Sequence, residues 1–299
     1  MTPTPQHGSP AGDAIIEIRK LSRRTGANVQ QLMMLYALEG LLTRIALSEY
    51  HEDFVLKGGV LLAAFAVRRP TKDIDVQATR LGDNPDEVAE RVRAIAALQV
   101  ADGLVFDPES VAATTIRDED EYAGVRVKLV AMLDTARLTI GMDVNFGDPI
   151  WPAPQLIDLP RVIDLGLPPV KMLGYPLTMV LAEKIITAID RGVANTRWRD
   201  FADVYTLTRI HRVQADTLRA SMETVAEYRK VPLTPLLPVL APMKERSQQK
   251  YQAWRTRSSR EDELPKDFAD VLTSVASFAD PALSATATGQ WSPRLRTWN

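Results

Sequence analysis

Two aspartates one residue apart, Asp73 and Asp75 in "TKDIDVQ", head a short run with the alternation of a strand. Side chains at i and i+2 of a strand point to one face, so the two carboxylates stand side by side while Ile74 turns to the opposite, buried face. Parallel carboxylates repel unless a cation lies between them. Oxygen-only ligands select Mg²⁺ or Mn²⁺, and Mg²⁺ characteristically bridges protein carboxylates to substrate phosphates. A third acid, Asp143 in "GMDVNFGD", sits in a similar alternation with Met142 and Val144 on the other face. Three carboxylates can hold two metals about 3.5 to 4 Å apart, one activating an attacking oxygen and one steadying a leaving group. The set points to nucleotide chemistry.

A glycine pair precedes the first two acids. Gly58 and Gly59 follow the strand-like "FVLK" and open the helical run "VLLAAFA". Without side chains they allow close approach, and their N–H groups could face an anion at a helix start, with Lys57 beside them as a phosphate contact. Taken singly, each piece has a plain alternative: a D-x-D at a solvated strand edge, a glycine pair in a turn, an acid at an edge.

The flanking sequence must position these groups. Residues 1–13 are rich in Pro, Gly, Thr and Ser and read as a disordered arm, with structure expected from Ala14. Two helices follow, with Gly26 as a stop and Asn28 as a cap. "NPDEVAERVRAIAAL" has an Asn cap, a proline at the first helical position and early acids. "LVF", "VAATTI", "GVRVKLVAML" and "ARLTIGMDVNF" read as strands, the last two joined tightly through "LDTAR". The expected fold is α+β: N-terminal helices and a mixed β-sheet domain flanked by helices over 14–170, a helical C-terminal lobe over 171–282 without further strands, and a weakly ordered tail over 283–299 that Trp291 and Trp298 could dock.

Composition narrows the chemistry. The 299 residues are 45% hydrophobic and 25% charged, enough for two modest cores, and a net charge of -2 offers no global basic field, so nucleic acid would need a local patch. There is no cysteine and only three histidines, which excludes disulfides and thiolate metal sites. No apolar run reaches the roughly 18 residues that span a bilayer, and the start lacks the order of a signal peptide, so a cytoplasmic protein without a membrane partner is expected.

The order glycine pair, helix, D-x-D strand, third strand acid resembles the nucleotidyltransferase superfamily shared with DNA polymerase β. More narrowly, "LKGG", "RRPTKDIDV", "MDVNFGD", "AEKIITAIDR" and "RDFADVYTL" resemble, in order, the AbiEii toxin family, which includes the mycobacterial MenT toxins; the likeness runs from about residue 54 to 210. It implies that Asp73 and Asp75 bind metal and act in catalysis, that Asp143 is the third acidic position, and that Lys57, Gly58 and Gly59 face nucleotide phosphates. It also puts Lys184 at the place of a catalytic lysine contacting phosphates, with Arg191 on the same helix face by a spacing of seven. Asp203 falls on a functional aspartate that would orient Lys184 or Arg197, while Asp200 reads as structural. Arg199 and Val204 depart from the lysine and leucine usual in that motif.

Two further features stand apart. Thr71 lies two residues before Asp73, where a phosphate would set about -1.5 to -2 charge against the carboxylates and silence the site; otherwise it is a turn threonine. The run 244–260 carries Lys244, Arg246, Lys250, Arg255, Arg257 and Arg260, with Tyr251 and Trp254 interleaved. It is either an RNA contact or a solvated helix whose aromatics pack on the core. The resemblance implies a toxin of a toxin–antitoxin system that transfers NMP from NTP with Mg²⁺ (or Mn²⁺) to the tRNA 3′ end, paired with an AbiEi-type antitoxin. A small-molecule acceptor, or a binding module without activity, are the alternatives.

Overall fold

Helix α1 (Pro10–Thr25) begins at a built cap: the Ser9 hydroxyl accepts the Gly12 N–H at 3.1 Å and Pro10 fills the first position. Gly26, at φ 72°, ends it by donating its N–H to the Ser22 carbonyl. The helix therefore starts ahead of the expected Ala14, because Ser-Pro is itself a start signal inside a polar stretch. The computed structural model describes residues 8–69, 71–117 and 123–299, so residues 1–7 of the expected arm lie outside the described residues. The chain divides into two units: one runs to Asp148 and resumes over Pro154–Tyr175, and the other comprises Pro149–Ala153 and Pro176–Asn299.

In the first unit, Asn28 caps α2 (Val29–Leu47), which is apolar on nearly every side and buried along most of its length. Arg44 lies within it, almost fully buried, with every guanidinium N–H satisfied: Nη1 and Nη2 meet the Asp102 carboxylate at 2.7 and 3.3 Å, and the carbonyls of Gly40, Leu98 and Leu104 take the rest. Buried Glu39, one turn earlier, accepts from the Val162 N–H and from Arg161. These polar anchors fix α2 to segments far away in sequence.

The strands are β1 (Phe54–Lys57), β2 (Asp73–Ala78), β3 (Leu104–Arg117), β4 (Ala123–Leu133), β5 (Ala136–Asn145), β6 (Gln155–Leu159) and β7 (Val170–Gly174), with α3 (Gly58–Leu61) and α4 (Pro85–Ala96) between them. They form one sheet in the order β3-β4-β5-β2-β1-β7-β6. It is mixed: β2 with β5 and β1 with β7 are parallel, and the other neighbours antiparallel. "LVF" and "VAATTI" belong to a single β3 whose register shifts between Asp107 and Ala112, around Pro108. Asp134, at φ 53°, makes the tight turn from β4 to β5. Ile74 and Val76 of β2 and Leu138, Ile140, Met142 and Val144 of β5 are buried, and α2 packs against β5. The alternating positions form the opposite face, which carries the acids.

The second unit contains α5 (Leu177–Arg191), α6 (Trp198–Ile210), α7 (Ala215–Arg229), α8 (Leu236–Leu240), α9 (Met243–Arg246), α10 (Gln248–Arg257) and α11 (Phe268–Leu283). Phe268 stands at the centre of an aromatic cluster, its ring 5.2 to 5.4 Å from those of Trp198, Phe201 and Tyr251. Contrary to expectation this unit also has strands: β8 (Val213–Gln214), β9 (Gln290–Ser292) and β10 (Thr297–Trp298) pair in the order β10-β9-β8. They are too short to leave a period-two signal. The tail is fixed rather than weakly ordered, because Trp291 is buried with its indole N–H on the Thr208 carbonyl, and Trp298 stacks on Phe278 and donates to its carbonyl.

Candidate active site

Strand register assembles the site. Lys57 is registered with Asp75 across β1–β2, Asp75 with Asp143 across β2–β5, and Asp143 with Arg126 across β5–β4. Registered neighbours share a face. Arg126, Asp143, Asp75 and Lys57 thus form one row over four adjacent strands, in the order cation, acid, acid, cation. Asp73 lies one pleat away on the same face, registered with Gly141.

The glycines near this row are matters of space. A Cβ at Gly58, whose φ is 67°, would fall 2.0 Å from Asp75 Oδ2, and one at Gly141 would fall 2.4 Å from Asp73 Oδ1. A Cβ at Gly59 would lie 3.1 Å from both Arg69 Nη1 and Thr71 Oγ1. The helical turn α3 is a single turn that tightens to a 3₁₀ segment over Leu62–Phe65, and the Gly59 N–H points at Asp75 Oδ2, 3.4 Å away. The anion it faces is a protein carboxylate. Misplacing a reacting group by about 1 Å costs about 100-fold in rate, so Gly141→Ala, which must displace the Asp73 carboxylate, tests whether Asp73 is such a group. Transfer assays beside thermal melts check this; unchanged activity would mean that Asp73 can shift without consequence.

Burial raises the Asp75 carboxyl above its ordinary pKa; Lys57 pulls it down, Asp143 pushes it up, and the Gly59 N–H lowers it. A folded carboxyl with a raised pKa holds its proton longer than the unfolded chain does, so this group's contribution to stability falls as pH rises from the unfolded value through the folded one. Asp75→Asn should accordingly raise the melting temperature at pH 7. The gain should shrink toward about pH 4, where the unfolded carboxyl also takes up its proton. Melting curves across pH decide; a lower melting temperature at pH 7 would overturn the reading.

Lys57 is buried, and its ammonium donates to Asp148 Oδ2 at 2.9 Å while lying 5.3 Å from the centre of the Tyr175 ring. Asp148 closes "GMDVNFGD" and was not anticipated. The Gln77 amide, with its oxygen toward this turn, accepts from the N–H groups of Gly147 and Asp148 at 3.1 and 3.2 Å. Gln77 continues the Asp73, Asp75 series along β2, so a single strand carries two acids and the support for the lysine's partner.

The donors on this face are all oxygen, with room kept at Gly58 and Gly141, and so suit a hard divalent cation. As they stand, no three His, Cys, Asp or Glu side chains among the described residues are gathered as a metal site. Both Asp143 oxygens are engaged by Arg126, Nε to Oδ1 at 2.8 Å and Nη2 to Oδ2 at 2.7 Å. The Thr71 hydroxyl donates to the Asp73 carbonyl at 3.3 Å.

In the second unit Lys184 donates to Asp200 Oδ1 and Asp203 Oδ2, each at 2.8 Å, with Asp203 fully buried. Helix α5 supplies the lysine and α6 both acids. Asp200 also lies 3.7 Å from Arg197 Nε, so it pairs with two cations, an arrangement in keeping with a structural role. Arg191 is exposed at the last position of α5.

The sequence model of the family described as nucleotidyl transferase AbiEii toxin, Type IV TA system, matches residues 40–274. The chain belongs to the AbiEii family. This AbiEii protein is a nucleotidyltransferase and the toxin of a type IV toxin–antitoxin pair; the family implies an NTP substrate, a divalent metal and a cognate antitoxin. Its fold is similar to that of MenT4, a nucleotidyltransferase toxin from Mycobacterium tuberculosis H37Rv, at 17% identity over 90% of this chain and 98% of that one, with a TM-score of 0.52. JHP933 from Helicobacter pylori aligns at 12% identity over 86% of this chain and 93% of its own, with a TM-score of 0.49. No curated protein matches the sequence. Among the described residues no helix is long and apolar enough to cross a membrane.

The basic segment of this AbiEii chain divides in use. Tyr251 is core, fully buried with its hydroxyl on the Pro265 carbonyl, and Arg260 is buried against Thr206 and Glu263. Arg255 donates to the Leu264 and Glu261 carbonyls. Trp254 and Lys244 are half-buried, while Arg246, Lys250 and Arg257 are exposed. An open groove of about 490 Å³ runs beside α10, lined by Gln249, Gln252, Ala253, Arg255, Thr256 and Lys266. Sequence reasoning missed Arg126 and Asp148, whose roles arise from pairing between distant segments.

Proposed function

We propose that this AbiEii toxin transfers the NMP of an NTP to the 3′ end of tRNA in a Mg²⁺-dependent reaction, and so blocks translation. The observation that carries the reading is the row Arg126, Asp143, Asp75, Lys57 with Asp73 one pleat away. Two of its four members are acids side by side on a face kept open by glycines. In the reaction an acceptor hydroxyl oxygen bonds to the α-phosphorus as the bond to pyrophosphate breaks. Mg²⁺, when held by Asp73, Asp75 and Asp143, would neutralise phosphate charge and favour ionisation of the acceptor hydroxyl.

The protein's own groups divide the remaining work. Lys57, held by Asp148, would face the nucleotide phosphates, while the Gly58–Gly59 turn leaves room for Asp75 and lets the nucleotide approach closely. Lys184, fixed by Asp200 and Asp203, is an ammonium whose position costs no ordering on binding, and Arg191 adds a second charge to its helix. Exposed Arg246, Lys250 and Arg257, with Lys244, Trp254 and Arg255 beside them, would contact RNA phosphates and bases. An AbiEi-type antitoxin in the same cytoplasm would restrain the toxin. A phosphate on Thr71, next to the acids, would silence it; mass spectrometry of protein made with and without the antitoxin tests this, and an unmodified Thr71 in an inhibited sample would end the idea.

The deciding experiment follows label from each of the four α-³²P NTPs into total tRNA with Mg²⁺. Label at the tRNA 3′ end is expected. Transfer that survives RNase treatment would point to a small-molecule acceptor, and no transfer with Mg²⁺ or Mn²⁺ from folded protein would overturn the reading.

A further inference from the structure

Asp143 makes a two-pronged contact with Arg126, the strong geometry for a guanidinium and a carboxylate. Both oxygens of this carboxylate are occupied by a cation of the same chain. The two partners differ in exposure: the Arg126 side chain is 47% accessible and the Asp143 side chain 17%. Lys57, at the other end of the row, is buried on Asp148. One terminal cation is buried, and the other reaches its acid from the solvent side.

We propose that Arg126 is a positioning residue that holds the Asp143 carboxylate in register with Asp75 and is displaced from it when the divalent cation binds. The inference rests on the reading of Asp73, Asp75 and Asp143 as the metal site. The contact lies at the solvent edge, where water can take up the guanidinium as it leaves, so Arg126 keeps two neighbouring acids together without blocking a doubly charged competitor. Register places Arg126 for this: β4 sets it directly beside Asp143, as β1 sets Lys57 beside Asp75. The exchange replaces a monovalent organic cation with a divalent one at the same carboxylate.

Two measurements on the nucleotide-free protein test this. Mn²⁺ binding, followed by electron paramagnetic resonance, should be about 3- to 10-fold tighter in Arg126→Gln than in the wild type, the scale of one exposed ion pair. Arg126→Lys keeps the charge but loses the fork, and should fall between the two; through-space repulsion alone would leave it equal to wild type. In ¹⁵N spectra the Arg126 Nε–H signal, assigned by its loss in Arg126→Lys, should move on adding Mg²⁺, and Asp143→Asn should remove that response. Mn²⁺ uptake with the Arg126 signal unmoved, an Arg126→Lys affinity equal to wild type, or an Arg126→Gln affinity no tighter than wild type would each overturn the displacement while leaving the metal site standing. No Mn²⁺ uptake by the wild type, with or without NTP, would overturn the metal site and the displacement together.

Discussion

Asp73→Ala should lower nucleotidyl transfer by at least about 10³-fold, the upper range for removing one electrostatic contact to the reacting groups, while leaving the fold intact. The two halves of that expectation have separate causes. Asp73 is exposed at the head of β2, and a surface substitution of this kind usually changes stability by no more than about 0.5 kcal/mol. Chemically, however, Asp73 cannot be replaced from within its row, because its registered neighbour is Gly141. Asp73→Asn separates charge from shape: it keeps the size of the side chain and should lose nearly as much activity. Labelled transfer beside a melting curve reads both. Full transfer by either variant would show that the carboxylate is no ligand in the reaction.

Asp102→Ala carries the largest expected loss of stability, about 3–5 kcal/mol, the range for removing one partner of a buried ion pair. Arg44 would keep its carbonyl acceptors but lose the one carboxylate that its guanidinium meets among the described residues. Its charge would then be buried without a counterion. The Asp102 side chain also accepts the Leu104 N–H at the start of β3, so the sheet edge loosens with it. Against a typical domain stability of about 5–15 kcal/mol this is a large fraction. Replacing both partners by apolar residues of similar volume should cost far less than the single change. All five tryptophans lie in the second unit, so their fluorescence follows that unit, and far-UV circular dichroism must be used to see the sheet of the first. A loss under about 1 kcal/mol would mean that the carbonyls alone satisfy the guanidinium.

The features legible in the sequence are those whose causes are local. Asn28, Gly26 and the Asn84–Pro85 start mark helix ends through contacts spanning a few residues, and the structure has each of them. The alternation in "DIDV" and "MDVN" sorts acids from apolar residues because a strand does this by itself. Motif order then places the chain in its family. Arg126 could not be found in this way, since "GVRVKLVAML" shows an arginine at a strand's polar face and nothing of which strand lies beside it. Asp148 likewise needs Lys57, and Arg44 looks like an ordinary cation on a helix until Asp102 is brought to it. Strands as short as β8 and β10 carry no periodicity, and the chain end holds through two indoles whose partners are distant.

The segment Pro149–Ala153 belongs to the second unit although both of its flanks lie in the first, and within that second unit the Trp151 carbonyl accepts from Ser221 at 2.9 Å. No single cut can separate the two units cleanly. A fragment ending at Tyr175 would carry a five-residue splint of its missing partner, and a fragment beginning at Pro176 would lack it. A fragment beginning at Pro176 would therefore leave the Ser221 hydroxyl without its Trp151 acceptor, and a peptide of residues 149–153 added to it should raise its melting temperature.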